Sequence, residues 1–290
     1  MRRQLSLSFT LPGGRRLGYA EFGTSDGPPV IYCHGFPASR LEAGLVEEAA
    51  ERARVRLIAI DRPGYGLSDY QPGRRLTDWP EDVAAMADGL GLKRFAVLGV
   101  SGGGPYALAC ARHLPRRLTR VGVVCGLGPL AESQLLQVMA WPARFSFSFI
   151  RRQPRIARLF FRGAAGSLFK GFPALALEVL TVTEPPADVS VLRRTEVKQR
   201  LLASLREAFR HGGRGAALEL ELLGRPWGFD LEQIAVPVLL WHGREDRTVP
   251  VGHGEYVAAR LPHCRAAFMA GEGHFSLPVL HAETILKTLR

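Results

Sequence analysis

The stretch Leu98–Ala109, LGVSGGGPYALA, places one serine among four glycines. An apolar run precedes it, and an alanine-rich run follows. This order predicts a strand, a tight turn and a helix, with Ser101 on the turn. Gly99 and Gly103 leave out the bulk that such a turn excludes, because neighbouring backbones come close there. A flexible glycine-rich loop without chemistry is the alternative, since G-x-S-x-G is a short pattern.

Similar apolar runs occur on both sides of this stretch. PPVIYC, VRLIAI and RFAVLGV come first, and TRVGVVCGL, VPVLLWHG and CRAAFMAG follow. Segments with helical spacing, such as LTDWPEDVAAMADGLGL, alternate with them. The chain opens with two alternating segments around PGG, which predict a hairpin. We therefore expect an α/β protein with a mainly parallel sheet flanked by helices.

The strand rhythm stops between residues 129 and 228. Helical segments broken by prolines follow one another there, and the strands resume afterwards. A chain of 290 residues has room for one large core and one inserted subdomain. We predict a core domain of residues 1–128 and 229–290, with residues 129–228 forming a helical cap.

Polar residues follow the predicted strands at their carboxyl ends. In a parallel sheet these ends share one edge, where ligands bind. The residues placed there are His34, Gly35, Asp61, Arg62, Ser101, Glu245, Asp246 and His274. Their convergence predicts a binding or catalytic site.

Three of these residues have the side chains of a nucleophilic relay. A serine hydroxyl needs a base, and a histidine has a suitable pKa. His274, flanked by a glycine in GEGHFSL, is the best-placed histidine, and Asp246 is the preferred acid to orient it. Glu245 is the close competitor for the acid and Asp61 a wider one. We expect Asp61 instead to fix a loop by pairing with Arg62 or a backbone amide.

An oxyanion produced at this serine needs two N–H donors aimed at it. The backbone amide of Gly102 lies at the start of the predicted helix, and that of Phe36 lies in HGFP. Pro37 has no N–H to offer. We predict an oxyanion hole formed by Phe36 and Gly102.

The bulk composition narrows the possible partners. The net charge is +11, but the excess is arginine scattered along the chain, which argues against a nucleic-acid partner. The four cysteines have no metal-like or disulfide-like spacing, so we expect free buried thiols and no metal site. The N-terminal MRRQLSLSFTLPGG lacks the apolar core of a secretion signal. No uncharged segment is long enough to span a membrane, and we expect a cytoplasmic protein.

The motifs HGFP, DRPGYGLSD, GVSGGGPYALA, HGREDRTVP and GEGHF occur in an order that resembles the α/β-hydrolase fold superfamily. The resemblance covers nearly the whole chain. It implies a sheet of about eight strands, a cap after the sixth strand, no cofactor, and the triad of Ser101, Asp246 and His274.

The chain differs from several branches of that superfamily. Epoxide-opening and halide-removing relatives carry an aspartate where this chain has Ser101, and residues 129–228 lack the cap tyrosines of the former. Dehalogenases and prolyl aminopeptidases usually follow the nucleophile with tryptophan, and here Gly102 follows. These differences favour acyl transfer to water.

The expected function is hydrolysis of small to medium, partly apolar carboxylic esters through an acyl-enzyme. Four residues are candidates for substrate contact, namely His34, Gly35, Phe145 and Phe149. The alternatives are C–C bond hydrolysis, thioesterase or lactonase activity, lyase or perhydrolase chemistry on the same triad, and ligand binding without catalysis.

The cap segment WPARFSFSFIRRQPRIARLFF mixes aromatic and basic residues and could rest on a membrane surface. We instead expect Phe145, Phe149, Phe160 and Phe161 to bury against the core or line the pocket. No membrane partner is therefore expected, and the predicted partner is a small ester-like substrate.

Overall fold

A computed structural model describes residues 4–290, leaving aside the side chains of residues 164 and 165. Residues 1–3, part of the N-terminal segment assessed above for a signal, lie outside the described residues. One eight-stranded sheet organises the chain, in the spatial order β1-β2-β4-β3-β5-β6-β7-β8. The strands are β1 Gln4–Thr10, β2 Arg16–Gly23, β3 Pro29–Cys33, β4 Arg56–Ile60, β5 Phe95–Val100, β6 Leu118–Val124, β7 Val238–Gly243 and β8 Cys264–Met269.

The predicted hairpin and parallel sheet are confirmed. Strands β1 and β2 pair antiparallel, with Thr10 opposite Arg16, and β2 joins β4 antiparallel. The strands from β4 through β3, β5, β6 and β7 to β8 are all parallel to their neighbours. Strand β5 is buried along its whole length, as expected for a strand covered on both faces.

Helices pack on both faces of the sheet. They are α1 Glu47–Arg52, α2 Trp79–Gly89, α3 Gly104–His113, α4 Ser133–Val138, α5 Trp141–Arg152, α6 Pro154–Phe160, α7 Gly166–Gly171, α8 Pro173–Thr183, α9 Pro186–Leu192, α10 Thr195–Ala208, α11 Arg214–Leu223, α12 Gly252–Arg260, α13 Ser276–Leu280 and α14 Ala282–Thr288. Short 3₁₀ turns cover Arg40–Val46, Leu76–Asp78, Ser101–Gly103 and Leu231–Gln233, and a π-helical turn covers Phe161–Ala165.

The side-chain alternation of the strands divides the core into two layers. On β3, Ile31 and Cys33 join the apolar cluster under α2, α3 and α12, whereas Val30 and Tyr32 join the cluster under α1 and α14. Burying one large apolar side chain contributes about 1.5–3 kcal/mol. These two layers therefore hold the sheet between the helices and fix the edge where the predicted site lies.

The segment between β6 and β7 is helical. Within the described part of the chain it holds α4 to α11 and no strand. This agrees with the inserted helical cap of the predicted fold class. The cap boundaries at residues 129 and 228 stay a prediction.

Buried ion pairs connect the cap to the core, and one of them corrects an expectation. Arg62 does not pair with Asp61, because its guanidinium turns to Glu219 of α11, with Nη2 lying 2.5 Å from Oε1. Asp61 instead pairs with the Arg40 guanidinium at 2.7 Å. It also accepts a hydrogen bond from the backbone N–H of Arg40, and a backbone amide was the other partner expected for it. Arg40 also reaches Glu207 of α10 at 2.6 Å. Breaking such a buried pair costs about 3–5 kcal/mol, so the cap is firmly joined to the core.

No single helix among the described residues combines the length and the apolar content that crossing a membrane requires. One pair of cap helices, Pro154–Gly171 and Pro173–Thr183, meets both criteria jointly, but the two are bent by 88°.

Candidate active site

Ser101 lies on a sharp turn between β5 and α3. Its φ of 55° falls in the left-handed region, which costs a non-glycine residue about 1–3 kcal/mol. A Cβ on Gly103 would lie 2.0 Å from the carbonyl oxygen of Cys33, and one on Gly99 would lie 2.4 Å from that of Gly103. The two glycines therefore allow the turn to pack closely against β3 and against the end of β5. The strained turn holds the Ser101 hydroxyl toward His274.

The structure brings Ser101, His274 and Asp246 together. Ser101 Oγ lies 3.0 Å from His274 Nε2, and His274 Nδ1 lies 2.8 Å from Asp246 Oδ2. In the tautomer that satisfies both bonds, the hydroxyl donates to Nε2 and Nδ1–H donates to the carboxylate. This is the hydrogen-bond order that lets an imidazole accept the serine proton.

Asp246 is held as a carboxylate by its surroundings. Burial disfavours its charge, yet the neighbouring His274 and His242 outweigh that cost and lower its pKa to about 2. Its Oδ1 accepts the N–H of Val249 at 2.7 Å, which fixes the side chain. Glu245, the competing acid of the sequence analysis, is exposed to solvent.

The environment of His274 favours its protonated form. Burial opposes the charge, but the carboxylates of Asp246 and then Glu184 and Asp188 raise the pKa of His274 above its usual value. Glu184 comes from the end of α8 and accepts the Thr248 hydroxyl at 2.7 Å. A cap residue thus contributes to the basicity of the imidazole.

Glutamine in place of Glu184 should move the acid limb of the kcat/KM profile for ester hydrolysis to lower pH. A general base works only when neutral, and removing one nearby negative charge lowers the pKa of His274. Rates measured from about pH 5 to about pH 9 test this, with the high-pH plateau unchanged within about twofold. Glu178→Gln, which changes an exposed carboxylate on the same helix, is the control. An unmoved limb in E184Q would contradict this account of the imidazole.

The two predicted oxyanion donors lie next to each other. A Cβ on Gly102 would lie 3.2 Å from the backbone nitrogen of Phe36, so the Gly102 backbone lies beside the Phe36 amide, and their joint action as an oxyanion hole stays a prediction. The Phe36 loop is fixed by the N–H of Gly35, which donates to Glu42 Oε2 at 2.7 Å. Gly102 lies in the turn that leads into α3, where the helix dipole favours negative charge.

His34 and Gly35 precede Phe36, and their hydrogen bonds fix the loop that carries it. The His34 ring is fully buried, and burial and then Arg62 lower its pKa well below the usual value. Its Nε2 accepts the N–H of Arg62 at 3.3 Å, so Nδ1 carries the proton and donates to the Gly35 carbonyl at 2.9 Å. Arg62 Nη2 donates to the same carbonyl at 2.9 Å. The polar atoms of both residues are thus engaged within the loop, and their contact with substrate stays a prediction.

The two candidate aromatic contacts of the cap occupy different environments. Phe145 and Phe149 stack with 5.9 Å between ring centroids on α5. Phe149 is half-buried against the main apolar cluster, whereas Phe145 is 56% exposed. The expectation that the cap phenylalanines bury against the core is wrong for Phe145 and Phe160, whose rings are exposed, and whether these two line the pocket stays a prediction. The contact of Phe145 and Phe149 with substrate stays a prediction.

Asp188, at the start of α9 in the cap, is a site residue that sequence analysis missed. This fully buried carboxylate accepts the backbone N–H groups of His274 at 2.7 Å, Phe275 at 2.9 Å and Ser276 at 2.7 Å. It therefore caps the turn that carries the histidine and leads into α13. In the sequence Asp188 looks like an ordinary acidic residue in the first turn of a helix.

Alanine in place of Asp188 should lower kcat for ester hydrolysis by about 10-fold to 100-fold and the free energy of unfolding by about 2–4 kcal/mol. Three buried N–H groups would lose their acceptor, and the His274 backbone would lose its support. Glu196→Ala, which removes an exposed carboxylate from the same subdomain, is the matched control for both measurements. A D188A variant that is folded at the assay temperature and has unchanged kcat would show that Asp188 supports the fold only.

Cys125 lies beside the relay, just after β6. Its Sγ donates to the Gly273 carbonyl at 3.6 Å, and burial and then Asp246 raise the pKa of the thiol well above its usual value. Within the described residues, donor atoms of Cys125, Asp246 and His274 lie within 4.8 Å of one another, a set that could ligate a metal. Since the carboxylate and imidazole already bond to each other and the thiol is held protonated, we assign this group to the relay.

Comparisons with known proteins agree with this fold. A family model described as the alpha/beta hydrolase fold matches residues 28–279. The chain is 31% identical over 258 residues to a pimeloyl-[acyl-carrier protein] methyl ester esterase of Aromatoleum aromaticum, covering 85% of this chain and 91% of that protein. It is 26% identical over 259 residues to a non-heme chloroperoxidase of Streptomyces lividans, covering 87% and 86%.

Solved structures give the same result for the fold. A hydrolase from Pseudomonas aeruginosa superposes with a TM-score of 0.72 at 22% identity, covering 98% of this chain and 97% of that one. The family match covers the six strands from β3 to β8 and the turn that carries Ser101, and the hairpin of β1 and β2 precedes it. The chain belongs to the α/β-hydrolase fold family.

Proposed function

We propose that the protein is a serine hydrolase that cleaves small to medium, partly apolar carboxylic esters. The observation that carries the proposal is the pair of hydrogen bonds joining Ser101 Oγ to His274 and His274 to Asp246, at 3.0 and 2.8 Å. A hydroxyl on a strained turn, bonded to an imidazole that a buried carboxylate orients, is an activated nucleophile.

The first half of the reaction forms an acyl-enzyme. Ser101 Oγ attacks the ester carbonyl while His274 Nε2 takes its proton. The N–H groups of Phe36 and Gly102 stabilise the oxyanion, and each such donor contributes about 3–4 kcal/mol to the transition state. When the tetrahedral intermediate collapses, Nε2 returns the proton to the departing alkoxide and the alcohol leaves.

The second half regenerates the enzyme. Water attacks the acyl carbon, and His274 takes a proton from it. The resulting intermediate expels Ser101 Oγ, which regains the proton, and the carboxylic acid leaves. Asp246 stays ionised throughout, because its role is to stabilise the imidazolium that forms in each half.

The leucines and phenylalanines of the cap favour a substrate with an apolar portion. The relatives include an esterase that acts on a methyl ester, which is also consistent with acyl transfer to water. Small size is expected because the site lies under a cap that is tied to the core by buried ion pairs.

Hydrolysis of a p-nitrophenyl ester series, from acetate to decanoate, tests the proposal together with fluorophosphonate labelling. We expect turnover that depends on chain length and one label per chain, mapped by mass spectrometry to the peptide with Ser101. Labelling of heat-denatured protein is the control. Absence of burst, turnover and label across the series would contradict the proposal and favour a ligand-binding protein without catalysis.

Perhydrolysis is a second candidate, favoured by the similarity to the chloroperoxidase of Streptomyces lividans. In it hydrogen peroxide replaces water as the nucleophile on the acyl-enzyme, giving a peracid and free Ser101. Adding hydrogen peroxide to the ester assay and measuring peracid distinguishes the two. If the ester assay is run at millimolar hydrogen peroxide and forms more peracid than carboxylic acid, perhydrolysis is favoured over hydrolysis.

A further inference from the structure

The cap exposes an unusual amount of apolar side chain. Of twelve large apolar side chains exposed among the described residues, eleven lie between Val138 and Val182. They are Val138, Trp141, Phe145, Ile156, Leu159, Phe160, Leu168, Phe172, Leu175, Val179 and Val182. Isolated exposed apolar residues are ordinary, but this concentration in one subdomain indicates an interaction surface.

These side chains repeat with helical spacing. Trp141 and Phe145, four residues apart on α5, stack with 5.9 Å between ring centroids. On α6, Leu159 and Phe160 follow Ile156 by three and four residues, and on α8 the three exposed side chains are likewise three or four residues apart. Residues at this spacing share one helix face. Each of these helices therefore presents an apolar stripe to the outside, and we call the exposed residues of α5 to α8 the cap surface.

The same segment is strongly cationic. Between residues 133 and 177 the chain has seven basic residues and no acidic one. They are all exposed, namely Arg144, Arg151, Arg152, Arg155, Arg158, Arg162 and Lys170. Within the described part of the chain, only Arg158 of this group forms an ion pair, at 3.4 Å to Glu221. Most of the positive charge is thus free to meet a negatively charged partner.

We propose that the cap surface binds an anionic membrane surface. Helices that combine an apolar face with exposed arginines lie in the interface between lipid headgroups and acyl chains. The 68% exposed Trp141 has the side chain that favours this depth. A second copy of the chain fits less well, since a symmetric dimer would place two surfaces of the same positive charge against each other. From the sequence alone we expected the cap phenylalanines to be buried or to line the pocket, with no membrane partner. The exposure of Phe145 and Phe160 leads us to the opposite choice.

Cosedimentation with lipid vesicles tests the proposal and does not depend on catalysis. At about 0.05 M NaCl we expect binding to vesicles of phosphatidylcholine with phosphatidylglycerol, and at least about tenfold weaker binding to phosphatidylcholine alone. Raising NaCl to about 0.5 M should weaken the binding to the anionic vesicles. Equal partition onto both vesicle types, or none onto either, would overturn the proposal.

Charge variants separate the cap surface from the general basicity of the protein. Replacing Arg144, Arg152 and Arg155 together by glutamine should weaken binding about 100-fold, at about fivefold for each charge. The matched control replaces three exposed arginines of the core, Arg116, Arg120 and Arg265, by glutamine and should bind within about threefold of the parent. Equal loss in the two triple variants would assign the binding to net charge and overturn the cap assignment.

Tryptophan fluorescence reports directly on the depth of the cap. Trp79 and Trp227 are buried and Trp241 is half-buried, so Trp141 is the exposed tryptophan among the described residues. Binding to anionic vesicles should shift the emission to the blue, and Trp141→Phe should abolish most of that shift while vesicle binding persists. The alternative outcome is a protein that does not bind vesicles but sediments as a dimer, with the dimer lost in the double variant Trp141→Ser, Phe145→Ser. That result would overturn the proposal and assign the surface to a second copy of the chain.

Discussion

Alanine in place of Ser101 should lower kcat for p-nitrophenyl ester hydrolysis by about 10⁶-fold, the order of loss seen when the nucleophile of such a triad is removed. The substitution deletes the hydroxyl that lies 3.0 Å from His274 Nε2. Without it no acyl-enzyme can form, and only the oxyanion donors and substrate binding still favour attack by water. A residual rate of about 10³-fold over the uncatalysed reaction is expected from these groups.

The measurement compares burst and steady-state rates of the variant and the parent. Thermal unfolding should change little, because alanine occupies the same strained backbone as serine. Ser190→Ala, which removes an exposed hydroxyl from the cap, serves as the matched control and should keep full activity. Turnover by S101A within about 100-fold of the parent, in a preparation shown free of host esterase, would refute the assignment of the nucleophile.

Asparagine in place of Asp246 should lower kcat by about 10⁴-fold. The amide oxygen should keep the position of Oδ1, where it accepts the N–H of Val249, so the NH₂ group replaces Oδ2 and donates to Nδ1. The proton of the neutral imidazole then moves to Nε2, which faces Ser101 and can no longer accept its hydroxyl. Shape and volume are preserved, so the loss reports the tautomer and the missing charge.

The neighbouring acid provides a control that the chain itself offers. Glu245→Gln makes the same carboxylate-to-amide change one residue away, on a side chain that is exposed. We expect E245Q to keep kcat within about twofold of the parent. A loss in E245Q as large as that in D246N would return Glu245 to the relay and contradict the assignment of the acid.

The proximity of Ser101, Asp246 and His274 could be predicted because these residues obey rules that are local in sequence. Ser101 stands between glycines, and Asp246 and His274 each follow an apolar strand. Parallel strands end at one sheet edge, so the order of polar residues along the chain already implied their proximity. The sheet followed from the same runs, since buried parallel strands are continuously apolar and the hairpin at the start alternates.

Other parts of the site depend on contacts that no local pattern encodes. Asp188 reaches the His274 turn from 86 residues away in the chain. The choice of Arg40 over Arg62 as the partner of Asp61 depends on where Glu219 of the cap places its carboxylate. The cap phenylalanines were assigned by hydrophobicity alone, and which of them face solvent is set by how α5 and α6 rest on the core. Sequence reasoning therefore placed Ser101, Asp246 and His274 together, but it did not find the contacts that hold these residues in position.

The three backbone hydrogen bonds that Asp188 accepts affect how this protein can be redesigned. Grafting a foreign lid onto this scaffold to change its selectivity would also remove the carboxylate that holds the His274 turn, unless the donor segment brings an acceptor to the same place. A successful chimaera should therefore keep the aspartate even where every neighbour is exchanged.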